Sequence, residues 1–157
     1  MGTPIVIIQS ESIDQTMAIA ADLAAQCRGG EVIALSGHLG AGKTQFVRGL
    51  VRGLGAQERR VSSPTFVLLN IYSGGRLTVY HLDAYRVGGA EDFEAIGFEE
   101  LLEQGGIIAV EWADRVKSLL PQKRIEVNLE AAGESARVIR IEWRDGSSPP
   151  PPPAGSS

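Results

Sequence analysis

GHLGAGKT, residues 37–44, decides the fold of this chain. The spacing is G-x-x-x-x-G-K-[ST], and each fixed position has a physical job. Gly37 and Gly42 free the backbone for conformations that a side chain would block. The amides of the loop between them, across His38, Leu39, Gly40 and Ala41, then form a nest for phosphate oxygens. Lys43 brings a positive charge to the β- and γ-phosphates, and Thr44 offers a hydroxyl to Mg²⁺. A helix beginning here adds its positive N-terminal end.

The flanks supply the context that the motif needs. Val32 to Leu35 is continuously apolar, as a strand buried on both faces requires. Behind the loop, Phe46, Val47, Leu50, Val51 and Leu54 recur at helical spacing, and Gly55 offers a stop. Strand, glycine loop and helix follow in the order of a phosphate loop. A glycine-rich turn with a chance Lys-Thr pair explains the loop but not its flanks.

Outward from the loop, the chain reads as an α/β domain with a mixed central sheet flanked by helices. Ile5 to Ile8 predicts a first strand, and Ser12-Ile-Asp-Gln15 predicts a capped helix running to about Cys27. FVLLNIY and RLTVYHLDAY flank Ser73-Gly74-Gly75 as a hairpin. AEDFEAIGFEELLEQG predicts two short helices broken near Gly97, GGIIAVEW another buried strand, and ADRVKSLL a helix ended by Pro121. RIEVNLE and RVIRIEW alternate in polarity and predict a closing hairpin. The βαβ logic puts a nucleotide at the C-terminal ends of the parallel strands.

The 157 residues suffice for one domain, expected over 1–146. Residues 147–157, SSPPPPPAGSS, cannot build a core and are expected to be a disordered Pro/Gly/Ser tail. A net charge of -4 argues against a free-standing nucleic-acid binder. The single cysteine, Cys27, excludes an internal disulfide and reads as a small core residue. No apolar run approaches the roughly 20 residues of a membrane helix, and the start lacks the pattern of a signal peptide. No membrane association and a cytoplasmic location are the expectation.

Hydrolysis or transfer needs acids beside the phosphate loop. Ile107 to Glu111 predicts a buried strand that ends in a carboxylate, which suits a metal or water role for Glu111. Trp112 follows it, as packing or as a wall of the site. In YHLDAYR, His81, Asp83 and Tyr85 share one strand face. Asp83 is a second magnesium-side acid or a group that positions water, while His81 reads as a hydrogen-bonded structural residue. Arg86 pairs with phosphate or with a carboxylate. In SSPTF, Pro64 stiffens a loop whose Ser63 and Thr65 hydroxyls face either a switch role at Mg²⁺ and γ-phosphate or an ordinary pre-strand turn. No N-K-x-D follows, so adenine is favoured over guanine; no L-S-G-G-Q and no arginine-rich lid are present.

GHLGAGKT, SPTF, YHLDAYR and VEW, in this order, closely resemble the TsaE (YjeE) family over roughly Ser10 to Trp143. The resemblance implies a P-loop nucleotide hydrolase fold and a small bacterial ATPase, slow alone, required for threonylcarbamoylation of adenosine 37 in tRNA. It implies ATP and Mg²⁺ as cofactors and the TsaD–TsaB complex as partner, with tRNA met through that complex. It assigns phosphate binding to Lys43, magnesium to Thr44 and Glu111, a switch-like loop to Ser63 and Thr65, hydrolysis to Asp83, and the tryptophan beside the metal-side glutamate to Trp112. His38, Gln45 and Ala84 depart from the usual Asp, Thr and Leu of the family; neither His38 nor Gln45 is expected to contact phosphate through a required side chain, so those changes leave ATP binding expected. Arg48, Arg52, Arg59 and Arg60 form a basic cluster, read as a solvated face or as a contact with that complex or its tRNA. Two other readings stand beside this one: a small P-loop phosphotransferase acting on a metabolite, and a nucleotide-gated binding module without useful turnover.

Overall fold

The computed structural model describes residues 4–38, 40–57, 61, 69–84 and 90–144. In chain order they form β1 (Ile5–Ser10), α1 (Ile13–Gln26), β2 (Val32–Ser36), α2 (Lys43–Gly53), β3 (Leu69–Tyr72), β4 (Val79–Asp83), α3 (Ala90–Ala95), α4 (Phe98–Glu103), β5 (Ile107–Glu111), β6 (Arg124–Ala131) and β7 (Arg137–Arg144). The strands make one seven-stranded sheet in the order β1-β7-β6-β2-β5-β4-β3. Its centre, β6, β2, β5 and β4, is parallel; the β3–β4 and β6–β7 hairpins and the β1–β7 pair are antiparallel. This is the expected α/β fold with a mixed central sheet.

The burial follows from residue type. Every residue of β5 is buried, as are the first four of β2, because helical layers cover both faces of the sheet centre. One face packs on α1 and α2 through Phe46, Val47, Leu50 and Val51. The other packs on α4 and the segment behind β5 through Phe98, Val116 and Leu120. Strands β6 and β7, towards the β1 side of the sheet, carry the alternation of one covered face. Cys27 is buried at the C-terminal cap of α1, and burial pushes its thiol up to about 12, so it packs rather than reacts.

Ser12 caps α1 as expected, its side chain accepting from Gln15 N. Gln15 Oε1 returns the bond one residue earlier than a standard capping box, accepting from Glu11 N. Gly97, at φ 75°, separates α3 from α4 at the expected break. ADRVKSLL is a correction. It forms two short 3₁₀ helices, Ala113–Arg115 and Lys117–Leu119, in place of one continuous helix. Trp112 enters in the left-handed region and Val116 interrupts at φ -132°, so no α-helical ladder can run through; the turns still bury Ala113, Val116 and Leu120. The tail and its expected disorder lie outside the described residues.

Helices α1 and α2 approach through small residues. A Cβ on Gly49 would lie 2.3 Å from Met17 O and 2.6 Å from the Cβ of Ala20. Gly49→Ala is therefore expected to destabilise the fold by about 1–3 kcal/mol, as overpacking does, although alanine is the better helix former. Chemical denaturation at constant slope reads the loss.

Candidate nucleotide site

The loop between β2 and α2 stands at the C-terminal edge of the parallel strands. Gly37 has φ 144°, and a Cβ there would meet Leu129 O at 2.5 Å, so β6 leaves room for glycine alone. Gly42, at φ 103°, starts α2 from a left-handed backbone. Lys43 Nζ donates to Gly37 O at 2.6 Å and to His38 O at 3.0 Å, bridging the loop that it follows. Leu39 lies outside the described residues.

A second cation holds the loop from behind. Arg137, the first residue of β7, donates from Nε to Ala41 O at 2.8 Å and from a terminal nitrogen to Gly40 O at 3.0 Å. Its other terminal nitrogen donates to carbonyls of its own hairpin, Ala136 O at 2.8 Å among them. Trans peptide geometry sends the N–H groups of Ala41 and Gly42 away from Arg137. Nothing in the sequence around Arg137 marks it. Its partners on the loop are almost a hundred residues away, so no local pattern could have found it. Arg137→Ala is expected to weaken nucleotide binding about tenfold by loosening the loop, with Arg137→Lys intermediate because an ammonium cannot reach both carbonyls in one plane. Titration with a fluorescent nucleotide measures it.

Sheet register brings the acids to the loop. Asp83 ends β4 and Glu111 ends β5, and the two are direct partners across the parallel pair; Glu111 also pairs with Leu35, one residue before the end of β2. Asp83 is 8% exposed and Glu111 5%, so neither is a solvated strand-end carboxylate. Thr44 Oγ1 stands 3.3 and 3.5 Å from the two oxygens of Glu111. His81, on the face of β4 that holds Asp83, contacts Glu111 through Nε2. Burial lowers the pKa of the Lys43 ammonium, and the negative charges of Glu111, Asp114 and Asp83 oppose that shift. Asp114, one turn beyond Glu111, is an acid that the sequence reading did not single out. Trp112 takes φ 59° and ψ 38°, the only positive φ of a non-glycine residue among those described. Its ring centroid lies 4.0 Å from Lys43 Nζ, a cation–π contact.

Lys43, Thr44, Glu111, Trp112 and Arg137 line a cleft of about 280 Å³, together with Ile13 and Thr16 from α1 and Ser135 from the β6–β7 turn. The donor set fits Mg²⁺. Two Mg–O bonds at right angles separate their oxygens by about 2.9 Å, close to the spacing between Thr44 and Glu111. Among the described residues no cluster of three or more His, Cys, Asp or Glu side chains could hold a metal by itself. Magnesium at a nucleotide does not need one, because phosphates and water fill its remaining positions. Ser63, Thr65, Tyr85 and Arg86 lie outside the described residues, as do Arg59 and Arg60. Arg48 donates from Nε to Val61 O at 3.1 Å, just ahead of the SSPTF segment. No helix among the described residues is long and apolar enough to cross a membrane.

A family model described as threonylcarbamoyl adenosine biosynthesis protein TsaE matches residues 10–145. The tRNA threonylcarbamoyladenosine biosynthesis protein TsaE of Treponema pallidum is 46% identical over 112 residues, which cover 71% of this chain and 82% of that protein. Its namesake in Bacillus subtilis is 40% identical over 126 residues, covering 80% of this chain and 78% of that one. The crystal structure of Bacillus subtilis YdiB superposes with a TM-score of 0.76 at 31% identity, over 92% of this chain and 89% of that chain.

Proposed function

Because the chain belongs to the TsaE family and so to tRNA threonylcarbamoyladenosine biosynthesis, we propose that it is a cytoplasmic Mg²⁺-dependent ATPase that serves the TsaD–TsaB complex. ATP seats its phosphates in the loop at Gly37–Thr44. Lys43 exchanges the Gly37 and His38 carbonyls for β- and γ-phosphate oxygens, which offer it stronger, charge-assisted bonds. Thr44 and Glu111 hold the metal, which when bound neutralises charge on the phosphates. Asp83, beside Glu111 on the adjoining strand, is placed to orient the attacking water. Trp112 covers the Lys43 end of the cleft and limits water there. Ser63 and Thr65 form a switch loop whose release after hydrolysis changes affinity for the complex, and tRNA is met only through that complex.

One observation carries this reading: the phosphate-loop Lys43 and Thr44 face two buried carboxylates on neighbouring strand ends. Binding of phosphate needs no second carboxylate, whereas hydrolysis uses one acid at the metal and one at the attacking water. The test is phosphate release from ATP by the purified protein, alone and with TsaD–TsaB and tRNA. Slow release that rises with the complex and requires Mg²⁺ supports the proposal. Release indifferent to the complex but raised by a small acceptor, with a phosphorylated product, would replace it with a phosphotransferase.

A further inference from the structure

The Glu111 carboxylate has a support that comes from neither the loop nor its own strand. His81 on β4 is fully buried, and its Nε2 meets Oε2 of Glu111. Its Nδ1 lies 3.3 Å from Oη of Tyr72 on β3, with the two rings tilted at 41°. Three adjacent strands thus contribute one residue each to a chain of polar contacts under the site. Register makes this possible. His81 stands opposite Asn70 of β3 and Ala109 of β5, so Tyr72 and Glu111 are each one same-face step farther along their strands. Among the described residues no buried side-chain nitrogen or oxygen lacks a partner, so the chain is fully satisfied.

Hydrogen-bond chemistry fixes its direction. A carboxylate only accepts, so a neutral imidazole facing it must carry its hydrogen on Nε2. Nδ1 then has a lone pair, and the Tyr72 hydroxyl must donate to it. The opposite order would set the Nε2 lone pair against a carboxylate oxygen.

We propose that His81 and Tyr72 are positioning residues for the metal-side carboxylate. His81 sets the rotamer of Glu111 by holding Oε2, and Tyr72, donating to Nδ1, holds the imidazole ring in the orientation that lets His81 do so. The inference rests on the reading of Glu111 as a magnesium ligand. It extends that reading to two residues that touch neither nucleotide nor metal. A ligand held in place binds its ion without first losing rotamer freedom, and loss of such outer support costs about 10- to 100-fold in metal affinity.

The experiment is a Mg²⁺ titration of the full chain in the presence of ADP bearing a fluorescent ribose label, read as binding and not as turnover. His81→Leu is expected to raise the Mg²⁺ requirement by about tenfold or more, with the Mg²⁺-free affinity for the nucleotide unchanged. His81→Gln, whose amide can donate to Glu111 from nearly the same place, is expected to restore most of it, and Tyr72→Phe to shift it less. A long-range proton–nitrogen NMR spectrum is expected to show His81 as the Nε2–H tautomer in the wild type and in Tyr72→Phe alike, because the Glu111 carboxylate accepts in both. An unchanged Mg²⁺ requirement in His81→Leu, or an Nδ1–H tautomer in the wild type, overturns the inference. Should His81→Leu not fold, Tyr72→Phe and the two spectra decide it. A wild type whose nucleotide binding ignores Mg²⁺ would instead defeat the assignment of Glu111, and the tautomer measurement would still judge the Tyr72–His81–Glu111 chain.

Discussion

Lys43→Ala is expected to lower ATP hydrolysis by about 100- to 1,000-fold, the loss that follows removal of one preorganised donor from a developing charge. ATP binding should fall with it, by about 10- to 100-fold, because charge-assisted bonds contribute about 1.5–3 kcal/mol each. The geometry gives the reason for so large an effect. Lys43 is 5% exposed and sits between two loop carbonyls and the Trp112 ring, so no water can take its place without rearrangement. It also faces Glu111, Asp114 and Asp83, whose mutual repulsion it relieves. Lys43→Arg should fail nearly as badly: the planar guanidinium is too broad for a slot that holds an ammonium 2.6 Å from one carbonyl and 3.0 Å from the next. Phosphate release and nucleotide titration measure the two losses separately. Hydrolysis at the wild-type rate in Lys43→Ala would mean that phosphate is held elsewhere.

Glu111→Gln should separate binding from turnover. The amide keeps the volume of the carboxylate and can still accept from His81, so the fold around β5 is expected to survive. What is lost is the negative charge that faces Thr44. Hydrolysis supported by Mg²⁺ should fall by about 100-fold or more, while binding of ADP without Mg²⁺ holds or improves as repulsion from the phosphates is removed. Asp83→Asn, on the adjoining strand end, tests the division of labour. If Asp83 orients water, that variant keeps Mg²⁺-dependent nucleotide binding and loses only turnover. If both variants lose the metal, the two carboxylates share it.

Elements with strong local periodicity could be read from the sequence. β2 and β5 are apolar without a break because both their faces are covered, and α2 declares itself by five apolar residues on one stripe. The β6–β7 hairpin follows from alternation. Each of these signals comes from neighbours in the chain. ADRVKSLL shows the limit: Ala113, Val116 and Leu120 stand at a spacing that suits an α-helix, and only the backbone at Trp112 and Val116 makes it two 3₁₀ turns. The site divides in the same way. Lys43, Thr44, Asp83 and Glu111 were legible because a loop motif and two strand ends mark them. Arg137 and Tyr72 were not, and His81 could be read only as a hydrogen-bonded structural residue without its partners, since those partners lie on other strands. The alternation in YHLD put His81 on the face of Asp83, but no pattern in one strand says what the next strand offers to it.

The reach of Arg137 has a temporal consequence. The carbonyls of Gly40 and Ala41 wait for a partner 97 and 96 residues farther along the chain. Strand β2, which carries the loop, is flanked by β5 and β6, both from the second half of the sequence. A ribosome that has already delivered the loop, the histidine–aspartate strand and the glutamate still holds a chain whose loop lacks its rear support. At about 5–20 residues per second, seconds pass between the appearance of Lys43 and that of Arg137. On the proposed function, full affinity for nucleotide therefore arrives with the last hairpin, and an interrupted polypeptide can carry every recognisable motif of the site and still lack the support of its loop.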